Sequence, residues 1–431
     1  MINMLANKNK LFISRNFDVF VFSILFVFVL LPQLQFSASW IVRFKIRELL
    51  YFALYFRMII FYKIHLTKNL IAVFIFLFYS IFIGFHTFFL YGSDLAIQGF
   101  LRFINVALLA PLAATIFQDL KDVKYFINIW LSVVVIGAFS ALYQFFGGDL
   151  SFLQLPYYIS LRSGLIRFRT ILGEPNIGGM AAVIVYIYSI LSVSIWPLKF
   201  ILLLTSIILL CLSLSKAALA SFVLATILLV FCYSKFLFNT KRKINPQLRK
   251  ILLYIVMAII VLVIMANIGI DFKKYISTSF LAFHGTDENP GAYKDIIYRL
   301  IIKPYSGVKL ALKESDFYVI NFLIGSSFGI AGSAARTIRG ELAILPHNSF
   351  LEIYLVGGMI MVLIFITILY LTYKKLKLKS KSIFYQPILL SFFIIVLLMF
   401  TYPIIYEPIM GSLFWLIVGI SCNYRLNRMV L

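Results

Sequence analysis

This sequence has few charged residues, few acids and almost no cysteine. Only 13% of its 431 residues are charged, and just 16 of them are acidic. Because soluble domains carry charge on about a quarter of their residues, this composition excludes an ordinary water-soluble globular protein. The three cysteines lie in apolar stretches without the spacing of metal ligands, which argues against a disulfide framework or a cysteine-bound metal. An Asp-x-Asp motif and a histidine cluster are also lacking.

Hydrophobic residues make up 62% of the chain, and lysine and arginine outnumber the acids by 39 to 16. On a soluble protein the net charge of +23 would suggest a nucleic-acid partner. Here many of the cations flank long apolar runs, where they act as topology signals, so we expect no nucleic acid to bind. The sequence therefore predicts an all-α, polytopic integral membrane protein.

Apolar runs long enough to cross a bilayer as helices recur along the chain. They predict twelve spans, of which the second carries Arg57 at its centre, so an interfacial amphipathic helix is the alternative for that range. No small-residue cleavage site follows the first run, which argues against a signal peptide. The predicted spans lie near residues 17–36, 48–65, 69–90, 98–117, 125–146, 176–195, 198–214, 217–236, 251–270, 349–373, 384–402 and 409–424.

Clusters of cations predict the orientation of these spans. The stretches 235–250 and 374–381 each hold several basic residues and no acid, which places both in the cytoplasm by the positive-inside rule. Cations near both termini predict that the termini are cytoplasmic as well. The predicted organisation is nine spans in residues 1–270, a large structured loop on the outer side in 271–346, and three spans in residues 347–431.

Four groups of polar residues fall on the predicted outer side. The sixth, eighth and tenth spans begin there, and the amino end of a helix offers unpaired N–H groups and the positive end of its dipole. Together with the nearby cations, these ends predict a pocket for phosphate or diphosphate. The groups are Arg167, Arg169, Glu174 and Asn176; Lys216 in a turn; Arg299 on a loop helix; and His347, Asn348 and Glu352.

Each of these residues also has a structural interpretation. Cations at helix ends often only reach toward lipid headgroups, and a single histidine more often serves a structural hydrogen bond. Glu352, one turn inside the tenth span, would pair with a cation in that case. Composition and spacing alone therefore indicate a membrane protein with a cationic outer pocket.

Three strings resemble motifs of the bacterial O-antigen polymerase and ligase family. One is Arg169-Thr-Ile-Leu-Gly173-Glu174-Pro175-Asn176, which opens a span, and another is His347-Asn348-Ser-Phe-Leu351-Glu352, which is followed by Gly357 and Gly358. The third, Ser213-Leu-Ser215-Lys216, matches the family's S-x-S-R motif except that lysine replaces arginine. The predicted span count and the outer loop, with Arg299 inside it, are also similar to the family's layout.

The resemblance implies a GT-C-like glycosyltransferase in the bacterial inner (cytoplasmic) membrane, with its active site facing the periplasm. Such enzymes use polyprenyl-diphosphate-linked sugars, here undecaprenyl-diphosphate-linked oligosaccharides, and need no metal or other cofactor. The polymerases of the family transfer the growing chain onto the next lipid-linked repeat unit, which yields O-antigen, capsule or exopolysaccharide. The implied partners are membrane lipids, a chain-length regulator and a flippase of the same pathway.

The resemblance also implies roles for the candidate residues. Arg167, Arg169, Lys216 and Arg299 are expected to stabilise the diphosphate leaving group, on which negative charge develops. Lysine at position 216 lacks the bidentate geometry of arginine, which weakens its assignment to phosphate. His347 is the expected general base for the acceptor hydroxyl, and Glu174 is the second candidate. Asn176, Asn348 and Glu352 complete the motifs.

Two other functions fit the sequence. An O-antigen ligase, which transfers polymer to lipid A core, shares the fold and the motifs, but family ligases usually keep arginine at the position of Lys216. A polysaccharide flippase or transporter would also have about twelve spans and a cationic cavity. Transport alone does not explain the long outer loop or the His-Asn motif, so the polymerase is the preferred interpretation.

Overall fold

The computed structural model divides the chain into two compact units. Unit 1 comprises Met1–Val133, Tyr305–Ile395 and Tyr402–Leu431, and unit 2 comprises Val134–Pro304 and Val396–Thr401. The structure describes residues 2–31, 40–150, 158–159, 166–167, 170–192, 195–213, 215–238, 322–328, 348–380, 382 and 384–428.

The described residues are predominantly helical, as the composition predicts. The exception lies in unit 2, where two antiparallel strands of two residues each, β1 (Tyr158–Ile159) and β2 (Ile166–Arg167), pair with each other. The helices are α1 (Ile2–Leu30), α2 (Trp40–Phe61), α3 (Lys68–Tyr91), α4 (Ser93–Ala107), α5 (Leu109–Ile116), α6 (Leu120–Phe145), α7 (Pro175–Leu191), α8 (Trp196–Ser213), α9 (Lys216–Phe238), α10 (Ser349–Lys379), α11 (Tyr385–Leu398), α12 (Pro408–Cys422) and α13 (Tyr424–Arg428).

Several of these helices have the length and composition of membrane spans. Five stretches of the described helices qualify, namely Lys68–Leu90, Gly99–Ile116, Leu120–Phe145, Trp196–Ser213 and Ser349–Lys379. Their outward surfaces are apolar as well: on α3, Phe78, Phe85 and Phe89 are 68%, 63% and 81% exposed. Soluble proteins rarely present such a continuous apolar surface to water, whereas lipid accommodates it. The architecture is that of a membrane-embedded helical protein.

Eleven of the twelve predicted ranges overlap described helices. The fourth range corresponds to α4 and α5 together, which meet at Leu108. The ninth range, 251–270, lies outside the described residues, as does the predicted loop 271–346 except for residues 322–328. The helix predicted within that loop also lies outside them.

Polar contacts in unit 1 show which helix ends lie together. The guanidinium of Arg15, in α1, donates to the carboxylate of Asp122, at the start of α6, at 2.7 and 2.9 Å. The side chain of Asn423, just after α12, donates to the carbonyl of Phe117, just after α5, at 2.7 Å. We call this side of unit 1 the Arg15 end. All of these positions were predicted to lie on one side of the membrane, so the predicted relative directions of α1, α5, α6 and α12 agree with the structure.

Helix α2 packs along α1 through a buried charge pair. Arg57 donates to Asp18, whose side chain is 1% exposed, and the hydroxyl of Tyr62 donates to the other carboxylate oxygen of Asp18 at 2.8 Å. The hydroxyl of Tyr55 donates to the carbonyl of Leu108 at 2.9 Å, near the junction of α4 and α5. On the outward face, Phe52, Phe56 and Ile59 are exposed. This apolar outward face is unlike the charged face of an interfacial helix.

The Asp18–Arg57 pair should be important for stability. Replacing Arg57 by Met leaves a buried carboxylate without its cation, so we expect the free energy of unfolding to fall by about 3–5 kcal/mol. The double variant D18N/R57M should recover most of that loss. Thermal unfolding of the detergent-purified variants measures both effects.

The control for this prediction is Arg47→Met, which removes the Arg47–Glu48 pair of the same helix, where the carboxylate is 22% exposed against 1% for Asp18. A pair of this kind contributes about 1 kcal/mol or less. Equal destabilisation by the Arg47 and Arg57 substitutions would contradict the role assigned to the buried pair.

Candidate functional site

A tight turn precedes the first turn of α7 in unit 2. The N–H of Gly173 donates to the carbonyl of Thr170 at 2.9 Å, and the N–H of Ile171 donates to the hydroxyl of Ser140, on α6, at 3.2 Å. Pro175 is the first residue of α7, where its missing N–H costs no hydrogen bond. Glu174, just before it, is exposed and does not cap the helix with its side chain. The Gly-Glu-Pro-Asn string therefore forms the entry to α7.

The turn between α8 and α9 is closed by serine side chains. The hydroxyl of Ser215 accepts from the N–H of Ala218 at 3.3 Å, which is the bond of a helix N-cap, and Lys216 is the first residue of α9. The hydroxyl of Ser213 accepts from the N–H of Ser215 at 3.4 Å. Both serines of the Ser-x-Ser-Lys string thus shape the turn.

The starts of α7 and α9 lie against each other. A Cβ atom placed on Gly179, in the second turn of α7, would lie 2.5 Å from the Ser213 hydroxyl and 2.9 Å from the Cβ of Ala218. Only the absence of a side chain at this position permits such close packing. Two of the four predicted groups, the Glu174 group and the Lys216 turn, are therefore neighbours in unit 2. We call this arrangement the paired helix starts.

Of the predicted cations, the structure describes only the backbones of Arg167 and Lys216. The backbone of Arg167 lies in β2, where it pairs with Tyr158. Arg169, Arg299 and His347 lie outside the described residues, as do the side chains of Arg167 and Lys216. Their predicted roles stay predictions. Asn176 lies in the first turn of α7 and is partly buried.

The His-Asn motif opens α10 in unit 1, and its asparagine is the N-cap of that helix. The side-chain oxygen of Asn348 accepts from the N–H groups of Phe350 at 2.9 Å and Leu351 at 3.1 Å. The residue after it, Ser349, donates to the carbonyl of Tyr402 at 2.9 Å and accepts from the N–H of Ile404 at 2.8 Å. These bonds fix the direction in which the chain enters α10.

The carboxylate of Glu352 is buried at this position and accepts a hydrogen bond from the hydroxyl of Tyr406. The next residue, Glu407, is also buried and caps α12 by accepting from the N–H of Met410 at 2.6 Å. We call this side of unit 1 the Asn348 end. Neither Tyr406 nor Glu407 belongs to the residues predicted from the sequence. The Glu-Pro pair at 407–408 is the pattern of a helix start and was the available signal.

Helix α10 is interrupted at Gly357 and Gly358. Gly358 has φ +64°, a conformation that favours glycine, and a Cβ atom there would lie 2.2 Å from the carbonyl oxygen of Leu323. Two N–H groups of residues 322–328 bind carbonyls next to the interruption: Ser326 donates to Leu355 at 2.7 Å and Ser327 to Val356 at 3.1 Å. Gly358 therefore allows residues 322–328 to dock onto α10.

No protein-family model matches this chain, and a search of curated proteins finds no match. Within the part of the chain that the structure describes, no three His, Cys, Asp or Glu side chains come together as metal ligands. The functional assignment consequently depends on the motifs and on the geometry of the paired helix starts and the Asn348 end.

The cap formed by Asn348 can be tested separately from any chemical role. Asn348→Ala should lower the free energy of unfolding by about 1 kcal/mol, while Asn348→Ser keeps a capping oxygen and most of the stability. Thermal unfolding in detergent measures the difference. An Asn348→Ala protein as stable as the wild type would contradict the capping role.

Proposed function

We propose that the protein is a polysaccharide polymerase, a metal-independent glycosyltransferase that joins polyprenyl-diphosphate-linked repeat units on the outer face of the inner membrane. The observation that carries the proposal is the paired helix starts. Two strings that are distant in sequence, Gly173–Asn176 and Ser213–Lys216, meet there through Gly179. Both strings resemble motifs of the O-antigen polymerase and ligase family.

The paired helix starts have the chemical character of a diphosphate site. The amino ends of α7 and α9 provide the positive ends of two helix dipoles. Arg167 on β2, Arg169 before α7 and Lys216 on α9 add positive charge near these ends in sequence. Such groups stabilise the charge that develops on a diphosphate leaving group, and Arg299 is proposed to act with them.

The acceptor hydroxyl needs a base. In the proposed reaction its oxygen attacks the anomeric carbon, the bond from that carbon to the diphosphate breaks, and the diphosphate leaves with the electron pair. His347 takes the hydroxyl proton, with Glu174 as the second candidate. Asn348 caps α10 immediately after His347, and Glu352 with Tyr406 fixes the first turn of the same helix. The displacement inverts the configuration at the anomeric carbon.

The finer topology belongs to the same proposal. It consists of twelve spans in a GT-C-like arrangement, cytoplasmic termini and an active site that faces the periplasm. The meeting of predicted cytoplasmic segments at the Arg15 end supports this topology. The proposed partners are undecaprenyl-diphosphate-linked oligosaccharides, membrane lipids, and a chain-length regulator and flippase of the same pathway.

A lipid-linked-sugar transporter is the second candidate, and one observation favours it. Many transporters bind their substrates at interrupted membrane helices, and α10 is interrupted at Gly358. In this protein the carbonyls of Leu355 and Val356 beside the interruption already accept from Ser326 and Ser327. The interruption therefore has a structural explanation, and the polymerase remains preferred. The ligase shares the motifs and is distinguished by its product.

Deleting the gene and separating the surface glycolipids by electrophoresis distinguishes the three functions. Loss of the ladder, with a single repeat unit still attached to lipid A core, is the result expected for a polymerase. Absence of any attached sugar, with long lipid-linked polymer accumulating outside, would indicate a ligase. Repeat units retained in the cytoplasmic leaflet would indicate a transporter and overturn the enzyme proposal.

Arg169→Ala should slow glycosyl transfer by about 100-fold or more, because it removes one of the groups proposed to stabilise the leaving diphosphate. Transfer is measured in membranes supplied with lipid-linked repeat units, at equal amounts of inserted protein. The matched control is Lys377→Ala, which removes a cation from the last turn of α10. Equal effects of the two substitutions would contradict the proposed diphosphate site.

A further inference from the structure

A small cationic pocket lies at the Arg15 end of unit 1. Its interior volume is about 20 Å³, and it opens to the surface. Segments from before α3, from α5 and from after α12 contribute to its wall. Polar and charged residues of the wall include Lys63, His65, Thr115, Asn423 and Arg425. None of them belongs to the motifs assigned to glycosyl transfer.

No acidic residue among those that the structure describes compensates the charge in this pocket. None of the described lining residues is acidic, and neither Lys63 nor Arg425 forms an ion pair with any residue that the structure describes. The acids placed at this end by their contacts, Asp119 and Asp122, are engaged by Arg15 at 3.9 and 2.7 Å. The pocket therefore presents two cations and the imidazole of His65 to a ligand.

The nearby helix ends do not need these cations as caps. The carbonyl of Phe117, after α5, accepts from the side chain of Asn423 at 2.7 Å, and the carbonyl of Cys422, the last residue of α12, accepts from the hydroxyl of Thr67 at 3.0 Å. Basic residues at a carboxyl-terminal helix end often bind such carbonyls themselves. Neutral side chains fill that role here, which leaves the charges of Lys63 and Arg425 for another partner.

The pocket wall is held rigidly. The ring of His65 stacks on the ring of Tyr424 with 4.5 Å between their centroids and 20° between their planes. The hydroxyl of Thr115 donates to the carbonyl of Pro111 at 2.9 Å, and the charged donors of the pocket are Lys63 and Arg425. A ligand that accepts hydrogen bonds and carries negative charge fits this chemistry.

We propose that this pocket binds a phosphate group, carried either by the headgroup of an anionic lipid or by free phosphate. Lys63 and Arg425 form the charge-assisted hydrogen bonds, and His65 lies beside them. Basic pockets between membrane helices commonly bind acidic headgroups on the cytoplasmic side, and the Arg15 end is the predicted cytoplasmic end. This site is independent of the proposed glycosyl transfer.

Native mass spectrometry of the full chain in a neutral detergent tests the proposal. The protein is titrated with phosphatidylglycerol, with phosphatidylcholine as the uncharged comparison, and separately with inorganic phosphate. The double variant K63Q/R425Q should bind the anionic probe at least about tenfold more weakly, because each basic residue near an acidic headgroup contributes about fivefold. The matched control, K121Q/K124Q, removes two exposed lysines near the start of α6 and should bind as the wild type does.

The outcomes separate the two sources of phosphate. If K63Q/R425Q alone loses binding of phosphatidylglycerol and no protein binds inorganic phosphate, the ligand is a lipid headgroup. If K63Q/R425Q alone loses binding of inorganic phosphate, the ligand is the free anion. The proposal is overturned if the wild type, K63Q/R425Q and K121Q/K124Q bind the probes equally, or if the two double variants lose binding to the same extent. Arg425→Lys keeps the charge and should retain most of the binding, so its behaviour also tests the site if the double variant is unstable.

Discussion

Backbone polar groups inside a bilayer have no water to bind, and this constraint governs the rest of the structure. At two interruptions among the described helices of unit 1, another part of the chain supplies a hydrogen-bond partner. Ser326 and Ser327 bind the carbonyls beside Gly358, and Tyr55 binds the carbonyl at the junction of α4 and α5. Two described helix starts are also capped by side chains, since Asn348 and Glu407 accept from N–H groups in the first turns of α10 and α12. The docking of residues 322–328 is thus a requirement of the interrupted helix.

Buried carboxylates, like buried backbone groups, bind specific partners within the protein. Four carboxylates in unit 1 are largely withdrawn from solvent, and each has a specific partner. Asp18 binds Arg57 and Asp122 binds Arg15, whereas the two glutamates accept from Tyr406 and from the N–H of Met410. Because a buried charge without a partner is costly, these acids hold α2, α6 and α12 in defined positions.

Much of this architecture could be predicted from local patterns, because apolar runs and helix starts are local features. Pro175 and Asn348 were placed at helix starts from sequence alone, and the structure confirms both positions. The partner of Arg57 could not be predicted, since Asp18 reaches it only after α1 and α2 pack together. The docking at Gly358 likewise joins residues far apart in the chain. In the candidate site, the Glu174 group and the Lys216 turn are neighbours because of the packing at Gly179. No spacing in the sequence reveals this packing.

The interruption of α10 separates the motif residues mechanically from the long part of the helix. Ser349 and Glu352 are hydrogen-bonded to residues 402–406. The short first part of α10, which carries them, ends at the glycine pair. Residues added or removed after Gly358 would change how far the long part extends through the lipid without shifting the motif. Insertions or deletions in the long part would therefore match α10 to bilayers of different thickness while the entrance to the helix keeps its geometry.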